Sequence, residues 1–182
     1  RGTLKAVTDA AAAVAGTDLS LVCVGTPSEA NGSLNLRYVK AVCEEIGRAI
    51  KAKGRYHTVV MRSTILPGTM RGTVIPALEG TSGLKAGRDF GLCNNPEFLR
   101  EGTAIHDYDN PPKTVIGMVD EKSGALLSEL YAALPAPLIR TGVETAEMVK
   151  YVDNVWHALK VSFANEIGAI CKRVDIDSHA VM

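Results

Sequence analysis

Apolar positions follow two spacings along the chain, and these spacings predict two kinds of element. Continuous apolar runs rich in β-branched residues, such as 19–25 and 57–64, are typical of strands covered on both faces of a sheet. Three further short runs, at 89–95, 113–120 and 137–141, also predict strands. The intervening patterns predict helices over 4–16, 34–54, 69–79, 96–105 and 121–134.

Strands that alternate with helices in this way predict an α/β fold with right-handed crossovers and a doubly wound parallel sheet. The alternation stops near Thr141 to Val143, and the remaining chain is predicted to be helical. We therefore expect two units, with residues 1–141 forming the sheet domain and residues 142–182 opening a helical domain.

Composition and charge exclude several classes of partner. Of the 182 residues, 46% are hydrophobic and 22% are charged, which is ordinary for a globular protein. The 20 basic and 20 acidic residues cancel without forming a basic block, so neither nucleic acid nor a membrane surface is an expected partner. The cysteines lack the spacing of a metal site and are expected to be reduced thiols; they are Cys23, Cys43, Cys93 and Cys171.

Small and polar residues follow three of the predicted strands, in the segments VGTP, RSTILPGT and NNPEFLREG. In open α/β sheets, ligands bind at the carboxyl ends of the strands, so these segments predict a cleft. Thr26 and Thr64 occupy equivalent places after their strands, where a hydroxyl can hydrogen bond to a ligand. Ordinary turn formation or helix capping is the alternative explanation for each segment.

The NPEFLREG segment carries two carboxylates, Glu97 and Glu101, four residues apart. On the helix predicted over 96–105 they would share one face, where like charges repel mildly. One interpretation makes one carboxylate a general base or water-positioning group and the other a ligand to substrate hydroxyls. In the alternative interpretation, Arg100 and the helix dipole simply neutralise them.

The segment 146–170 predicts one long helix with an unusual polar side. At about 100° per residue, four polar side chains project within an arc of roughly 80°; they are Lys150, Asn154, His157 and Asn165. The residues between them are small or apolar, which favours the wall of a polar cleft over a solvated face. A lysine in such a wall would suit an oxyanion.

The opposite side of the same helix is apolar, and we expect it to pack as a core stripe. Its members are Met148, Val152, Val155, Trp156, Leu159, Phe163, Ile167 and Ile170.

Four motifs together resemble the nucleotide-sugar 6-dehydrogenase family, which includes UDP-glucose and GDP-mannose dehydrogenases. The motifs are VCVGTP, RSTILPGT, NPEFLREGTA and KYVDN followed by FANEIG, and they span nearly the whole chain. The stretches TPSEANGSLNLRYVKAVCEEIG and NVWHALKVSFANEIG are most similar to the GDP-mannose branch. The resemblance implies the second part of a Rossmann-like NAD domain, followed by the start of a helical dimerisation domain, in a cytoplasmic enzyme that serves polysaccharide biosynthesis.

The resemblance also implies a reaction, the four-electron oxidation of the C6 alcohol of GDP-mannose to a carboxylate, with NAD as cofactor and a cysteine adduct at the aldehyde stage. Thr26 and Thr64 would contact NAD, with Thr64 also at the catalytic centre. Lys150 would stabilise the oxyanion and Asn154 would hold a water. The substrate-binding residues would be Glu101, Lys150, Asn154, His157 and Asn165, and the division of labour between Glu97 and Glu101 stays open.

Two parts of the family pattern are expected to lie outside these residues. A glycine-rich phosphate turn would precede Arg1, and a Gly-Gly-x-Cys segment with the nucleophile would follow Met182. We therefore expect the chain to be a fragment that is inactive alone. The helix over 143–173 is expected to form a homodimer or higher homo-oligomer, in which the partner subunit adds substrate contacts.

Alternatives remain open at this point. A UDP-glucose 6-dehydrogenase of the same family would share the motifs. A β-hydroxyacid dehydrogenase also carries a K-x-x-x-N helix but lacks NPEFLREG. A non-catalytic nucleotide-sugar-binding module would need neither the glycine-rich turn nor the cysteine.

Overall fold

A five-stranded sheet forms the centre of the computed structural model, which describes residues 3–182. Its strands are β1 (Leu19–Val22), β2 (Thr58–Met61), β3 (Gly91–Asn94), β4 (Thr114–Met118) and β5 (Leu138–Gly142). Every residue of β2 and β3 is buried, as continuous apolar runs predict for strands covered on both faces. All five predicted strands form, but the predicted cover on both faces of 19–25 is wrong, since Leu21 of β1 is 43% exposed.

Helices connect the strands and continue beyond the last of them. They are α1 (Ala10–Ala15), α2 (Arg37–Lys53), α3 (Ile75–Ser82), α4 (Ala104–Asp109), α5 (Glu121–Leu130), α6 (Val143–Arg173) and α7 (Ser178–Val181), and a π-helical turn, Met70–Val74, leads into α3. The first helix begins later than the predicted residue 4. The Asp9 carboxylate accepts a hydrogen bond from the Ala11 amide and caps the helix at that point.

The strand order is β1-β2-β3-β4-β5, and the pairing is mostly parallel. One pairing is antiparallel, since Asn94 of β3 lies beside Gly117 of β4. The prediction of an all-parallel sheet is wrong at this pair. The connection 95–113 contains a single six-residue helix, and it returns at the same end of the sheet instead of crossing over it. This connection therefore lies at the carboxyl edge of β1, β2 and β3.

Two apolar clusters cover the two faces of the sheet. On one face, α2, α3 and the first turn of α6 pack against β2 and β3 around Val59 and Leu92. On the other face, Leu127 of α5 packs against Val60 and Cys93. The sheet is thereby fixed as a rigid base from which the loops at its carboxyl edge project.

The last long helix, α6, begins against the sheet and then extends beyond it. Its start packs closely on β4, where a Cβ added to Gly117 would lie 2.5 Å from the Ala146 Cβ. A helix of 31 residues spans about 46 Å, whereas strands of four or five residues span about 16 Å. Most of α6 therefore has no sheet to cover.

The expected core stripe on α6 is wrong, because its large apolar side chains are exposed. Val152 is 57% exposed and Phe163 is 59% exposed. The same holds for the other exposed members, Met148, Val155, Trp156, Leu159 and Ile170. None of the described helices is both long and apolar enough to span a membrane.

Candidate functional site

A side-chain contact joins the carboxyl ends of β1 and β2. The Thr26 hydroxyl donates a hydrogen bond to the Thr64 carbonyl oxygen at 2.9 Å, so the two predicted cofactor-binding threonines lie together at one edge. Gly25 beside them faces open space, since a Cβ built on it would meet no atom within 4 Å. Small residues and free access to the backbone fit a flat or phosphorylated ligand such as NAD. The roles of Thr26 and Thr64 toward NAD stay predictions.

A buried carboxylate ties this edge to α6. Glu147, only 1% exposed, accepts hydrogen bonds from the backbone amides of Gly68 and Met70, both at 2.7 Å. These amides belong to the turn after β2, at the start of a helical segment, where unpaired N–H groups favour an anion. Burial raises the pKa of Glu147, and the two amide hydrogen bonds oppose that rise. The contact fixes α6 three residues before Lys150.

The segment 95–100 is not helical, so the shared helix face predicted for Glu97 and Glu101 is wrong. Backbone amides of this segment donate to acidic side chains and not to the carbonyl oxygens of a helix. Glu97, for example, accepts a hydrogen bond from the Leu99 amide at 2.6 Å. Gly102 has a φ of +84°, in the left-handed region that interrupts a helix. The two carboxylates therefore occupy separate positions in a loop.

Asp107 of α4 fixes the second half of this loop. Its carboxylate accepts hydrogen bonds from the backbone amide and the guanidinium of Arg100, and from the Thr103 hydroxyl. The Arg100 contact, with smaller help from Thr103, holds the pKa of the Asp107 carboxyl well below its ordinary range. Arg100 is thereby engaged with Asp107 rather than with Glu97 or Glu101.

A buried polar network supports the first half of the loop from the other face of the sheet. Arg62, which follows β2, donates to the Asn95 side-chain oxygen at 2.6 Å, and the Tyr131 hydroxyl donates to the same oxygen at 2.7 Å. The Asn95 amide group donates in turn to the Val115 carbonyl oxygen of β4 at 2.8 Å. Asn95 is thus held by Arg62, Tyr131 and β4, and these contacts fix where the loop begins.

Lys150 and Glu97 form a largely buried ion pair. Lys150 Nζ lies 3.1 Å from Glu97 Oε1, and the side chains are 8% and 29% exposed respectively. The same Nζ lies 5.5 Å from the centre of the Phe98 ring. An ammonium group so sheltered from water interacts more strongly with a developing negative charge than one in bulk solvent.

A cavity of about 670 Å³ opens between the loop after β3 and the polar side of α6. This volume is ordinary for a small-molecule site. Four of the residues singled out from the sequence line it, namely Glu101, Lys150, Asn154 and His157. The loop and the helix therefore face one cavity, and the binding roles of these residues stay predictions.

The other members of the predicted set are absent from the lining of this cavity; they are Glu97, Thr26, Thr64 and Asn165. Thr64 is at the carboxyl end of β2, outside the lining of this cavity. Asn165 is exposed on α6, eight residues and therefore about 12 Å beyond His157 along the helix. The substrate role proposed for Asn165 stays a prediction.

Sequence reasoning missed several lining residues. Lys160 lines the cavity and follows His157 by three residues. This spacing places both side chains on one side of α6, so Lys160 could have been identified from the sequence. His106 and Asn110 also line the cavity. Their positions depend on the path of the connection 95–113, which no periodic pattern reveals.

The described part of the chain, residues 3–182, holds no group of three His, Cys, Asp or Glu side chains placed to bind a metal ion. Its cysteines are free thiols. Burial raises the pKa of Cys43 to about 12 and that of Cys93 to about 11, so neither supplies a thiolate nucleophile near neutral pH.

Family models match both parts of the chain. Residues 1–135 match the NAD binding domain of the UDP-glucose/GDP-mannose dehydrogenase family, and residues 144–182 match the central domain of that family.

Curated relatives include two GDP-mannose 6-dehydrogenases. The protein from Pseudomonas aeruginosa is 59% identical over 181 residues, which cover 100% of this chain and 42% of the relative. The protein from Pseudomonas putida is 57% identical, with coverage of 100% and 41%. A UDP-glucose 6-dehydrogenase from Bacillus subtilis is 39% identical over 169 residues, with coverage of 93% and 35%. The chain spans about two fifths of the length of the two GDP-mannose relatives.

Solved structures give the same picture. The ternary complex of GDP-mannose dehydrogenase from Pseudomonas aeruginosa superimposes with a TM-score of 0.95 at 59% identity, covering 97% of this chain and 40% of that one. A UDP-glucose dehydrogenase from Pyrobaculum islandicum gives a TM-score of 0.90 at 45% identity, with coverage of 96% and 40%.

Proposed function

The chain belongs to the UDP-glucose/GDP-mannose dehydrogenase family, and on that premise we propose that the protein oxidises the C6 alcohol of GDP-mannose to a carboxylate with NAD as electron acceptor. Identities of 57% and 59% to GDP-mannose enzymes, against 39% and 45% to two UDP-glucose enzymes, support GDP-mannose as the substrate. The observation that carries the proposal is the cavity lined jointly by Glu101 of the loop and Lys150, Asn154 and His157 of α6.

Lys150 is proposed to stabilise negative charge on the oxygen at C6. As the hydroxyl proton leaves ahead of the hydride, negative charge develops on that oxygen, and a sheltered ammonium group lowers the energy of that state. The contact with Glu97 at 3.1 Å holds Nζ in place. Glu97 would then accept a proton through Lys150 or a water, and we assign it the general-base role.

Asn154 is proposed to hold the water that supplies the second carboxylate oxygen. It follows Lys150 by four residues, so the two side chains lie on one side of α6 and line one cavity. Glu101 and His157, on opposite walls, would bind the sugar hydroxyls and a phosphate oxygen. Asn165 would complete the substrate site from farther along the helix.

When bound, NAD would supply the acceptor for the hydride that leaves the substrate carbon. We assign Thr26 and Thr64 to its binding, since their contact places both at the carboxyl ends of β1 and β2. The open space at Gly25 leaves room for the cofactor to approach the backbone. Thr64 also belongs to the turn region that Glu147 links to α6, which connects the proposed cofactor edge to the helix that carries Lys150.

A homodimer through α6 is also part of the proposal. Exposed large apolar side chains along one helix, including Leu159 and Phe163, mark an interaction surface more often than free surface. We further propose a cytoplasmic location, because the four free thiols suit a reducing compartment.

The proposal is tested by NADH absorbance with the full-length gene product that carries these residues. We expect NADH formation with GDP-mannose and little with UDP-glucose; a preference for UDP-glucose would overturn the substrate assignment. No NADH with either sugar, together with binding of GDP-mannose, would favour a non-catalytic binding module.

Replacement of Lys150 tests the site itself. Lys150→Ala should lower kcat by a factor on the order of 100 or more, because it removes the charge that stabilises the oxyanion. Lys172→Ala, an exposed lysine at the end of α6, is the matched control and should retain normal turnover. Near-normal turnover in Lys150→Ala would exclude Lys150 from the mechanism.

A further inference from the structure

A lysine with no role in the proposed reaction, Lys113, connects the two walls of the cavity. It immediately precedes β4, and its side chain is 28% exposed. Its Nζ lies 2.8 Å from Asp153 Oδ1 on α6 and 4.3 Å from the centre of the Phe98 ring in the loop. One ammonium group therefore contacts both the loop and the helix.

Two ammonium groups approach the same aromatic ring. Lys113 Nζ is 4.3 Å and Lys150 Nζ is 5.5 Å from the centre of the Phe98 ring, both within the range of a cation–π contact. Two cations this close would repel each other without compensation. Each has its own carboxylate, Asp153 for Lys113 and Glu97 for Lys150, so the four charges cancel.

The chain positions of these contacts matter as much as their distances. Phe98 is the residue directly after Glu97, and Asp153 lies three residues after Lys150 on α6. Each contact of Lys113 is thus adjacent to one member of the Lys150–Glu97 ion pair. Lys113 itself is anchored at the start of a buried strand, so the sheet provides the fixed reference for both contacts.

We propose that Lys113 is a positioning residue, which acts through Phe98 and Asp153 to hold Lys150 and Glu97 in the geometry that the oxidation requires. This inference rests on the proposed role of Lys150 and extends it to a residue that need not touch the substrate. Small displacements of a catalytic group cost large factors in rate, so loosening Phe98 is expected to act on turnover more than on binding.

The test uses the full-length gene product with GDP-mannose and NAD. Lys113→Met keeps the aliphatic stem and removes the charge; kcat should fall by about 10- to 100-fold, with the KM for GDP-mannose changed about threefold or less. Lys113→Arg keeps both the cation over Phe98 and the ion pair, and should restore most of the turnover.

A second cation–π pair provides the matched control. Lys122 Nζ lies 3.5 Å from the centre of the Tyr56 ring, away from the cavity. Lys122→Met should leave kcat and KM unchanged. Equal losses of kcat in Lys113→Met and Lys122→Met, or no recovery in Lys113→Arg, would overturn the proposal.

Two measurements show whether Lys113 acts through Lys150. In a Lys150→Met background, adding Lys113→Met should lower the residual kcat by about twofold or less, because residues that act as a unit are not additive. A full additive loss would contradict the inference. Independently of activity, acylation of Lys150 by an amine-reactive reagent, followed by mass spectrometry, should be faster in Lys113→Met than in the unchanged protein.

The acylation readout separates failure of this inference from failure of the proposed function. Faster acylation of Lys150 in a protein that does not oxidise GDP-mannose would support the positioning contact and overturn the reaction. An unchanged acylation rate in an active enzyme would overturn the positioning role alone.

Discussion

Replacement of Glu147 by alanine should open the turn after β2 without unfolding the protein. In the structure, the Glu147 carboxylate accepts hydrogen bonds from the Gly68 and Met70 amides, both at 2.7 Å. Met70 is fully buried, so its amide cannot be rehydrated when the carboxylate is removed, whereas Gly68 is exposed. A buried N–H left without a partner costs about 2 kcal/mol, and losing a charged hydrogen bond at the exposed amide costs about 1 kcal/mol more.

Amide hydrogen exchange measures this opening locally. A loss of about 3 kcal/mol in the free energy of opening corresponds to exchange that is about 100-fold faster, since each 1.4 kcal/mol is a factor of ten. The exchange of peptides covering residues 66–72 should be followed by mass spectrometry in the full-length gene product.

Glu144→Ala is the control for this measurement. Glu144 lies one turn earlier on α6, its side chain is 46% exposed, and it pairs with Arg71. Removing an exposed ion pair should change exchange about threefold or less. Wild-type exchange in Glu147→Ala, or equal acceleration in both variants, would refute the argument that the buried carboxylate holds this turn.

Three separate features of the molecule can be tested in the same way: the buried His57, the close packing at Gly117 and the exposed apolar side of α6. Burial beside Lys53 lowers the pKa of His57 from 6.5 to about 4, so at acid pH the unfolded chain takes up a proton that the folded chain does not. The free energy of unfolding should keep its full value above about pH 6.5 and should fall as the pH drops toward about 4, by about 2 kcal/mol near pH 5. A urea midpoint that does not change with pH would contradict this. Gly117→Ala places a Cβ 2.5 Å from the Ala146 Cβ and should lower the free energy of unfolding, measured in urea, by about 1–3 kcal/mol. Gly72→Ala, whose new Cβ would meet no atom within 4 Å, should not lower it. Equal effects of the two substitutions would refute close packing at Gly117. Leu159→Asp on the exposed side of α6 should convert the proposed dimer to monomer in analytical ultracentrifugation, and an unchanged sedimentation coefficient would exclude this side as the interface.

The centre of the sheet was predictable because β2 and β3 are buried on both faces. A continuous apolar run such as 57–64 leaves few other structures open, and β2 lies within it with every residue buried. The antiparallel direction of β4 was not predictable from such runs, because strand direction depends on how the connection 95–113 travels and not on the apolarity of the strand.

The loop after β3 shows why local patterns can mislead. The charged segment containing Glu97 and Glu101 has ordinary helical composition. The helix does not form because the backbone amides of Leu99 and Arg100 bond to carboxylates of Glu97 and Asp107. Such competition between side chains and the helical backbone depends on tertiary placement, which spacing alone does not give.

The polar side of α6 was predictable, and the environment of its apolar side was not. Helical spacing placed Lys150, Asn154 and His157 on one side, and the structure brings them to one cavity. The same spacing made the opposite side a predicted core stripe, yet Val152 and Leu159 are each 57% exposed. Periodicity identifies an apolar face but does not show whether this chain or another covers it.

We propose that the sugar of GDP-mannose binds between the loop after β3 and α6, with its reacting carbon beside Lys150. A crystal structure of the full-length gene product with GDP-mannose tests this most directly. We expect the C6 oxygen at about 3 Å from Lys150 Nζ, a hydrogen-bond distance, with Glu101 and His157 contacting the same ligand. GDP-mannose bound elsewhere, with Lys150 still paired to Glu97 and remote from the sugar, would contradict it.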